Sequence, residues 1–501
     1  MSGRSEKSLT RQKLDRTLKP HWVWAIALGS SIGWASFVMP ANWMGQAGPL
    51  GVILGLTIGA LLMIVIAISY GVLIRSYPVS GGEFAYAFLG LNRTHAYISG
   101  WFLTLGYICI VALNATAFSL MLKFIFPDFI EQAKLYEVAG WEVYLTEIIF
   151  TTLLIGIFAF LNIRGSTISG RMQFIFVSIL ILGVLTITIG MSSSGDTSFA
   201  NLTPVFTPDT SALAAVLTMV AIAPFAYVGF DNVPQAAEEF KFSSKKALSL
   251  IVLAILFAAA IYSMMIIATG VAMPWQELAD ANHSWGTGVV VQEVMGVGGL
   301  IVLATALSMG IFTGLNGFLI SASRVLFAMA RGKVLPDIFA RLHKQHNTPY
   351  YAILFAALIS IIAPWFGRDV LSWIVNMSSV GVSIAYFYTT YTAFKLLKWN
   401  EQDKDYNPEL HIVSPWRKVV TIIGMISSIA FLALLLYPSS PAALGQESFY
   451  ALVIWVVLGA IFYIGRRREL SKYSRDELAY LILGDDQYKL ANKGNDSDNN
   501  H

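Results

Sequence analysis

The chain is 501 residues long, 56% of it AVILMFWYC with a further 40 glycines, and only 13% is Asp, Glu, Lys or Arg. A soluble domain carries about 25% charged residues, and a disulfide scaffold needs more than the single Cys109, so a polytopic integral membrane protein remains. The net charge of +3 says little as a total; where the positive charges fall says more.

An α-helix needs about 20 apolar residues to cross a bilayer. Twelve such runs occur, at roughly 22–44, 50–73, 97–122, 143–161, 172–191, 212–236, 247–271, 298–321, 350–366, 371–394, 419–437 and 449–465. They are longer than a barrel strand of about 10 residues with alternating polarity, which excludes a β-barrel. Lys and Arg gather in the N-terminal tail (1–20), the C-terminal tail (466–501) and the connections after even-numbered spans. Of 33 in all, the other side receives only Lys123, Lys134 and Arg368. Short translocated loops are poor in Lys and Arg, which predicts both termini in the cytoplasm and a multi-pass plasma-membrane protein. The first span follows a basic leader but is about 23 residues long, without a small-residue cleavage site after a short apolar core, so it reads as retained. Asp485–His501 reads as polar and disordered. The His343-x-x-His346 pair lacks Cys or carboxylate support and reads as solvated loop. No metal, cofactor or nucleic-acid partner is expected; the bilayer is.

Two spans are interrupted. The first contains Gly29-Ser-Ser-Ile-Gly33 with Pro40 beyond, and the sixth contains Pro224-Phe-Ala-Tyr-Val-Gly229-Phe-Asp231 with Pro234 beyond. Proline removes a helical hydrogen bond and glycine lowers the cost of unwinding. In lipid, broken backbone survives only against protein or a water-filled cavity. Interruptions at matching places in two halves point to a transporter's midplane site, and the match of spans one and six fits five spans followed by five more. Gly29-x-x-x-Gly33 is also the spacing for close helix packing. Asp231 adds a carboxylate deep in a span, which is costly and usually functional.

These residues carry a family resemblance. Gly29 to Gly33 with Ser36-Phe-Val-Met-Pro40 resembles the first-helix motif of amino acid–polyamine–organocation (APC) transporters. Pro78-Val-Ser-Gly-Gly82-Glu83-Phe-Ala-Tyr86 resembles the loop before their third helix. Phe225 to Asp231 with Ala237-Glu-Glu239 resembles their sixth, especially in the cationic amino acid transporter branch. The resemblance implies an all-α LeuT-type fold of twelve helices: repeat 1 at 21–191, repeat 2 at 192–396, and spans eleven and twelve within 397–465. It also implies substrate held between broken helices 1 and 6. N–H groups from Ile32, Gly33, Trp34, Ala35 and Ser36 suit a carboxylate, and carbonyls around Phe225, Ala226, Tyr227 and Val228 suit an ammonium group. Phe225 matches the position whose ring caps substrate in the family. Trp34-Ala35 departs from the family's small pair; Trp34 either narrows the pocket or packs on a neighbouring helix.

The fifth span lacks the lysine of some proton-coupled members, with Ser178 and Leu180 in that neighbourhood. Proton coupling, sodium coupling and exchange all stay open. Gly29, Thr305 and Ser308 form a candidate ion site, unless the hydroxyls bond their own helix. Thr104 and Tyr107 are candidate substrate-facing residues, with interhelical bonding as the alternative. Asn114 and Asn376 read as structural, Glu83 as a partner for Arg75 or Arg93, and Asp231 as a gate or proton-linked group. The function expected is secondary transport of amino acids by alternating access, with polyamines or other organic amines as the alternative substrates. A channel is disfavoured by the two broken helices, and no enzyme or ATP-binding signature is present.

Overall fold

The computed structural model describes residues 11–138, 141–195, 197–208, 210–281, 283–366, 370–402, 416–438, 440 and 443–484. The expected polar stretch Asp485–His501 and Arg368 lie outside them.

Helix α1 (Pro20–Ile32) stops at Gly33, α2 (Ala35–Val38) resumes, and Pro40 opens α3 (Pro40–Ser76), which bends at Gly48 before Pro49. Proline fits a helix start because its missing N–H would have no partner there. Helix α4 (Gly82–Gly90) precedes α5 (Arg93–Ile125), whose N-terminus is capped by Asn92 Oδ1 accepting from the N–H groups of Thr94 and His95. The turn α6 (Pro127–Ile130) leads to a hairpin of β1 (Lys134–Val138) and β2 (Trp141–Tyr144), with Tyr136 opposite Val143. The all-α expectation misses this hairpin, because two strands of five and four residues give too short an alternation to register among helical runs.

Helices α7 (Leu145–Ile163) and α8 (Ser166–Ser193) follow. The sixth apolar run is split into α9 (Ala212–Ala221), α10 (Ala223–Tyr227) and α11 (Asn232–Gln235). Then come α12 (Ala247–Gly270), α13 (Trp275–Asp280), α14 (Gly286–Arg331), α15 (Tyr350–Ser360), α16 (Val370–Gln402), α17 (Trp416–Leu436), α18 (Gln446–Leu470) and α19 (Arg475–Leu483).

Eight of the described helices are long and apolar enough to cross a bilayer: α3, α5, α7, α8, α12 (with the turn before it), α14, α17 and α18. The other four expected runs take different forms. Two are the broken segments, one is the short α15, and one is α16. Helix α14 also exceeds its expected bounds of 298–321, running 46 residues through a kink at Gly296. Its last turns keep helical form beyond the apolar run because Arg324 and Arg331 are paired, with Glu239 and Glu238 at 2.8 and 2.9 Å.

Large apolar side chains such as Leu182, Ile189, Leu213 and Ile464 stand more than three-fifths exposed, an outward apolar belt suited to lipid rather than water. Inside, glycines bring helices close. A Cβ on Gly55 of α3 would lie 2.3 Å from Met219 Cβ on α9, and one on Gly59 would lie 2.6 Å from Ala223 Cβ, the small-residue packing used where lipid gives helices no hydrophobic drive to associate. Both described ends of the chain lie on one face: Leu18 bridges Phe240, and Arg11 donates to the Leu481 carbonyl of α19.

Candidate functional site

The two breaks meet at the centre of the molecule. Gly33 ends α1 at φ +50°, and Gly229, at φ +128°, lies between α10 and α11. A Cβ on Gly229 would sit 2.6 Å from Ser30 C and from Ser31 N, so only glycine lets the two unwound backbones touch here. Ser31 Oγ donates to the Tyr227 carbonyl at 3.0 Å. The Tyr262 hydroxyl, on α12, lies 2.8 Å from the Ala226 carbonyl and 3.0 Å from that of Ser31, so one phenol serves both breaks.

Between them is a cavity of about 20 Å3 lined by Ser30 to Ala35, by Ile110, Leu113 and Asn114 of α5, and by Phe225, Val228 and Tyr262. One or two waters need about this volume, so an amino acid enters only when the walls move apart. No lining side chain is charged. Asn114 Nδ2 is satisfied by the Ile110 carbonyl, while its buried Oδ1 has no partner among the described residues. Beyond the cavity, on the side away from the chain ends, a second space of about 130 Å3 lies among Val38, Met121, Lys123, Phe124, Glu131 and Trp285. Trp285 Nε1 donates to the Phe37 carbonyl at 2.9 Å, tying α14 to the helix that resumes after the first break.

The structure sorts the expected site residues. Ile32, Gly33, Trp34, Ala35, Phe225 and Val228 line the cavity, and Trp34 therefore narrows the pocket. Ser36 is buried outside the lining, with its hydroxyl unpartnered among the described residues. Ala226 contributes its carbonyl to the Tyr262 contact. Tyr227 turns away: its hydroxyl donates to the Leu56 carbonyl of α3 at 2.8 Å. Thr104 bonds its own helix at Gly100, and Tyr107 donates to Asp231 Oδ2 at 2.9 Å, so neither lines the cavity. Asp231 is fully buried and its Oδ1 accepts from the Gly229 N–H at 2.7 Å, closing a short turn inside the break.

The candidate ion site is not brought together. Thr305 is exposed and bonds the Ile301 carbonyl, while Ser308 bonds that of Ala304. Each hydroxyl reaches back one turn along its own helix. The hydroxyl beside Gly29 is Thr313, which donates to the Gly29 carbonyl at 2.9 Å. In the fifth span Ser178 is half-buried and bonds the Phe174 carbonyl of its own helix, while Leu180 is buried. Gln173 is the polar group turned inward there, its Nε2 at 3.1 Å from the Thr313 carbonyl and its Oε1 accepting from Asn316 at 2.7 Å.

Below the breaks, toward the chain ends, Glu83 takes neither Arg75 nor Arg93. It accepts from the Tyr70 hydroxyl at 2.7 Å and from Gln235 Nε2. Lower still, Glu238 is held by Arg331 at 2.9 Å, by Arg11 at 3.1 Å and by the Ser80 N–H. Burial would raise the Glu238 carboxyl, but the two guanidiniums and these hydrogen bonds outweigh it and hold its pKa at about 2. His343 and His346 stack at 4.8 Å, and no cluster of metal-ligating side chains occurs among the described residues. Tyr262, Thr313 and Gln235 are the residues that sequence reading missed, and Asn114, read there as structural, lines the cavity. Asn114 alone left a signal, one heptad after Tyr107 and thus on the same face of α5.

Comparison with known proteins fits this geometry. A family model described as amino acid permease matches residues 22–458. The branched-chain amino acid permease BcaP of Bacillus subtilis is 26% identical over 94% of this chain and 96% of its own. The methylthioribose transporter of the same organism is 24% identical over 90% and 93%, and the lysine-specific permease LysP of Escherichia coli is 24% identical over 74% and 76%. The chain therefore belongs to the amino acid permease family, a family of membrane transporters and not of enzymes.

Proposed function

We propose that the protein is a secondary transporter for α-amino acids with uncharged side chains, working by alternating access across the plasma membrane. The observation that carries the reading is the uncharged lining of the cavity between the two breaks, with Ile32, Ile110, Leu113, Val228 and the rings of Trp34 and Phe225 around it. The N–H groups that head α2 offer a carboxylate the donors a helix start leaves unused. The α10 end offers an ammonium group its carbonyl lone pairs. A dibasic side chain or a polyamine would need a counter-charge in the wall. Asp231, the near carboxylate, is turned to Gly229 and Tyr107 instead. Twelve spans in a five-plus-five inverted repeat, with the chain ends in the cytoplasm, complete the reading.

The test is a thermal-shift and counterflow series on the purified, reconstituted protein with neutral, dibasic and polyamine ligands. A native-state ligand must stabilise. Neutral amino acids should raise Tm and exchange in counterflow. Preferential stabilisation by lysine or a polyamine would overturn the substrate assignment, and flux without trans-stimulation would overturn the carrier itself.

A further inference from the structure

One carboxylate near the breaks has no part in holding substrate. Glu83, in the first turn of α4, is fully buried, and its hydrogen-bond partners are uncharged. Gln235, the last residue of α11, joins it to a second carboxylate. Its Nε2 donates to Glu83 and lies 3.3 Å from the Tyr107 hydroxyl and 3.4 Å from the Asp231 carbonyl, while Tyr107 donates to Asp231 Oδ2. The two acids thus share one buried network. Glu83 stands on α4, and Asp231 on the broken segment whose backbone abuts the cavity.

Among the described residues, the groups facing Glu83 include no side-chain cation to balance the pair. Helix α3 presents Tyr70, α5 presents Tyr107, and α16 presents Tyr386, which lies 6.2 Å from the Tyr70 ring and stacks on Phe230. Tyr86 on α4 itself is fully buried. Helix α14 packs at Gly81, but its Arg324 is committed to Glu239, with Ser166 and Ser323 taking its remaining N–H groups. Helix α19 meets α4 at the far end, where Arg475 and Arg93 lie by Phe88. Two fully buried carboxylates with no cation beside them among the described residues cannot both stay ionised cheaply.

We propose that Glu83 and Asp231 together bind one proton, that this is the coupling ion, and that Glu83 is its release end. This rests on the transporter reading above. In the closed form one carboxylate of the pair is a neutral acid and the other an anion. When α11 moves away to open the face that carries the chain ends, Gln235 and Asp231 leave with it and water reaches Glu83. The O–H bond breaks, the proton passes to that water, and the carboxylate left behind is hydrated. Asp231, next to the break, is the end that reloads from the cavity. One proton then travels with each substrate.

The experiment uses full-length protein in liposomes loaded with a pH-sensitive dye, with a neutral amino acid as probe. Native protein should acidify the lumen when substrate is added outside. Glu83→Gln keeps a hydrogen-bonding side chain of the same size but cannot titrate. It should lose the proton flux and at least tenfold of gradient-driven accumulation, while counterflow continues at a tenth or more of the native rate. Proton flux persisting in Glu83→Gln, or absent from a native protein that performs counterflow, overturns the proton site. Absence of counterflow from the native protein overturns the transporter reading instead. If Glu83→Gln does not fold, Tyr70→Phe serves: losing one hydrogen bond to Glu83 should move the pH of half-maximal uptake by half a unit or more, and an unmoved profile overturns the proposal.

Discussion

Glu238 is the carboxylate on which the termini-bearing face closes, and its removal should open that face. It joins Arg331 at the end of α14, Arg11 of the N-terminal arm, and the Ser80 N–H before α4. The same two arginines also donate to the Leu481 and Ile482 carbonyls of α19. The fall of its pKa from the ordinary 4.5 to about 2, at about 1.36 kcal/mol per pH unit, corresponds to about 3 kcal/mol favouring the closed arrangement over one with the carboxylate in water. That is about a hundredfold in the ratio of closed to open forms. Because the pKa is depressed, this stabilisation is fully present above pH 4.5 and is lost only as pH falls through about 2. The reporter is a cysteine at Val233, buried on α11, in a Cys109→Ser background, labelled from the termini-bearing side by an impermeant maleimide. Glu238→Gln should speed labelling by up to about a hundredfold at pH 7. Because the thiolate is the nucleophile and its fraction falls with pH, rates are taken relative to an exposed cysteine at the same pH, and on that scale the parent should label equally slowly at pH 7 and pH 5. A change under twofold in Glu238→Gln, or a parent rate that climbs already at pH 5, would refute the reasoning.

Gly33→Ala meets only ordinary contacts, the nearest 3.7 Å away, so the backbone conformation at φ +50° and ψ −139° is what opposes it, at about 1–3 kcal/mol. Gly229→Ala also collides with the Ser30–Ser31 backbone and should lower Tm further; equal Tm losses would contradict the backbone contact. Tyr262→Phe should weaken substrate binding by about 1–2 kcal/mol, roughly tenfold, at normal membrane abundance, since its hydroxyl bridges both breaks. Asp231→Asn should keep the affinity for neutral amino acids and change the pH dependence of transport; selective loss of a dibasic ligand would instead make Asp231 a substrate counter-charge. Cysteines at Ser194 and Ser440 should label from outside the cell and one at Ser243 should not, and a reversal would invert the assignment of gates.

The breaks were legible in the sequence because they are written in residue types with one backbone meaning. Gly33 and Gly229 adopt the positive φ that other residues resist, and Pro224 falls at the second position of α10. Their meeting was legible only through the resemblance, since no local pattern says that Gly229 will rest on Ser30. Side-chain direction was less accessible still. Trp34 and Tyr227 are both aromatic residues at the breaks, yet one lines the cavity and the other reaches Leu56 of α3, a choice made by where the break rotates the helix. Thr305 and Thr313 differ by eight positions on one helix, a little over two turns. One faces outward and the other meets the Gly29 carbonyl, because α14 packs on α1 and α8 only along one stripe.

Charge was legible as a topology signal and not as chemistry. Arg324 and Arg331 counted toward one side of the membrane, but their partners, Glu239 and Glu238, follow the sixth span and are about 90 residues away in sequence. The pairing follows from the break itself. Once α10 ends at Tyr227, the short α11 and the acidic turn after it descend against the end of α14 rather than continuing one straight helix. An unbroken helix would carry those acids along a different line and leave two arginines buried without carboxylates, at several kcal/mol. The unwinding that leaves the central cavity thus also delivers Glu238 and Glu239 to the arginines below it. A movement of the broken segment during transport must therefore act on both at once.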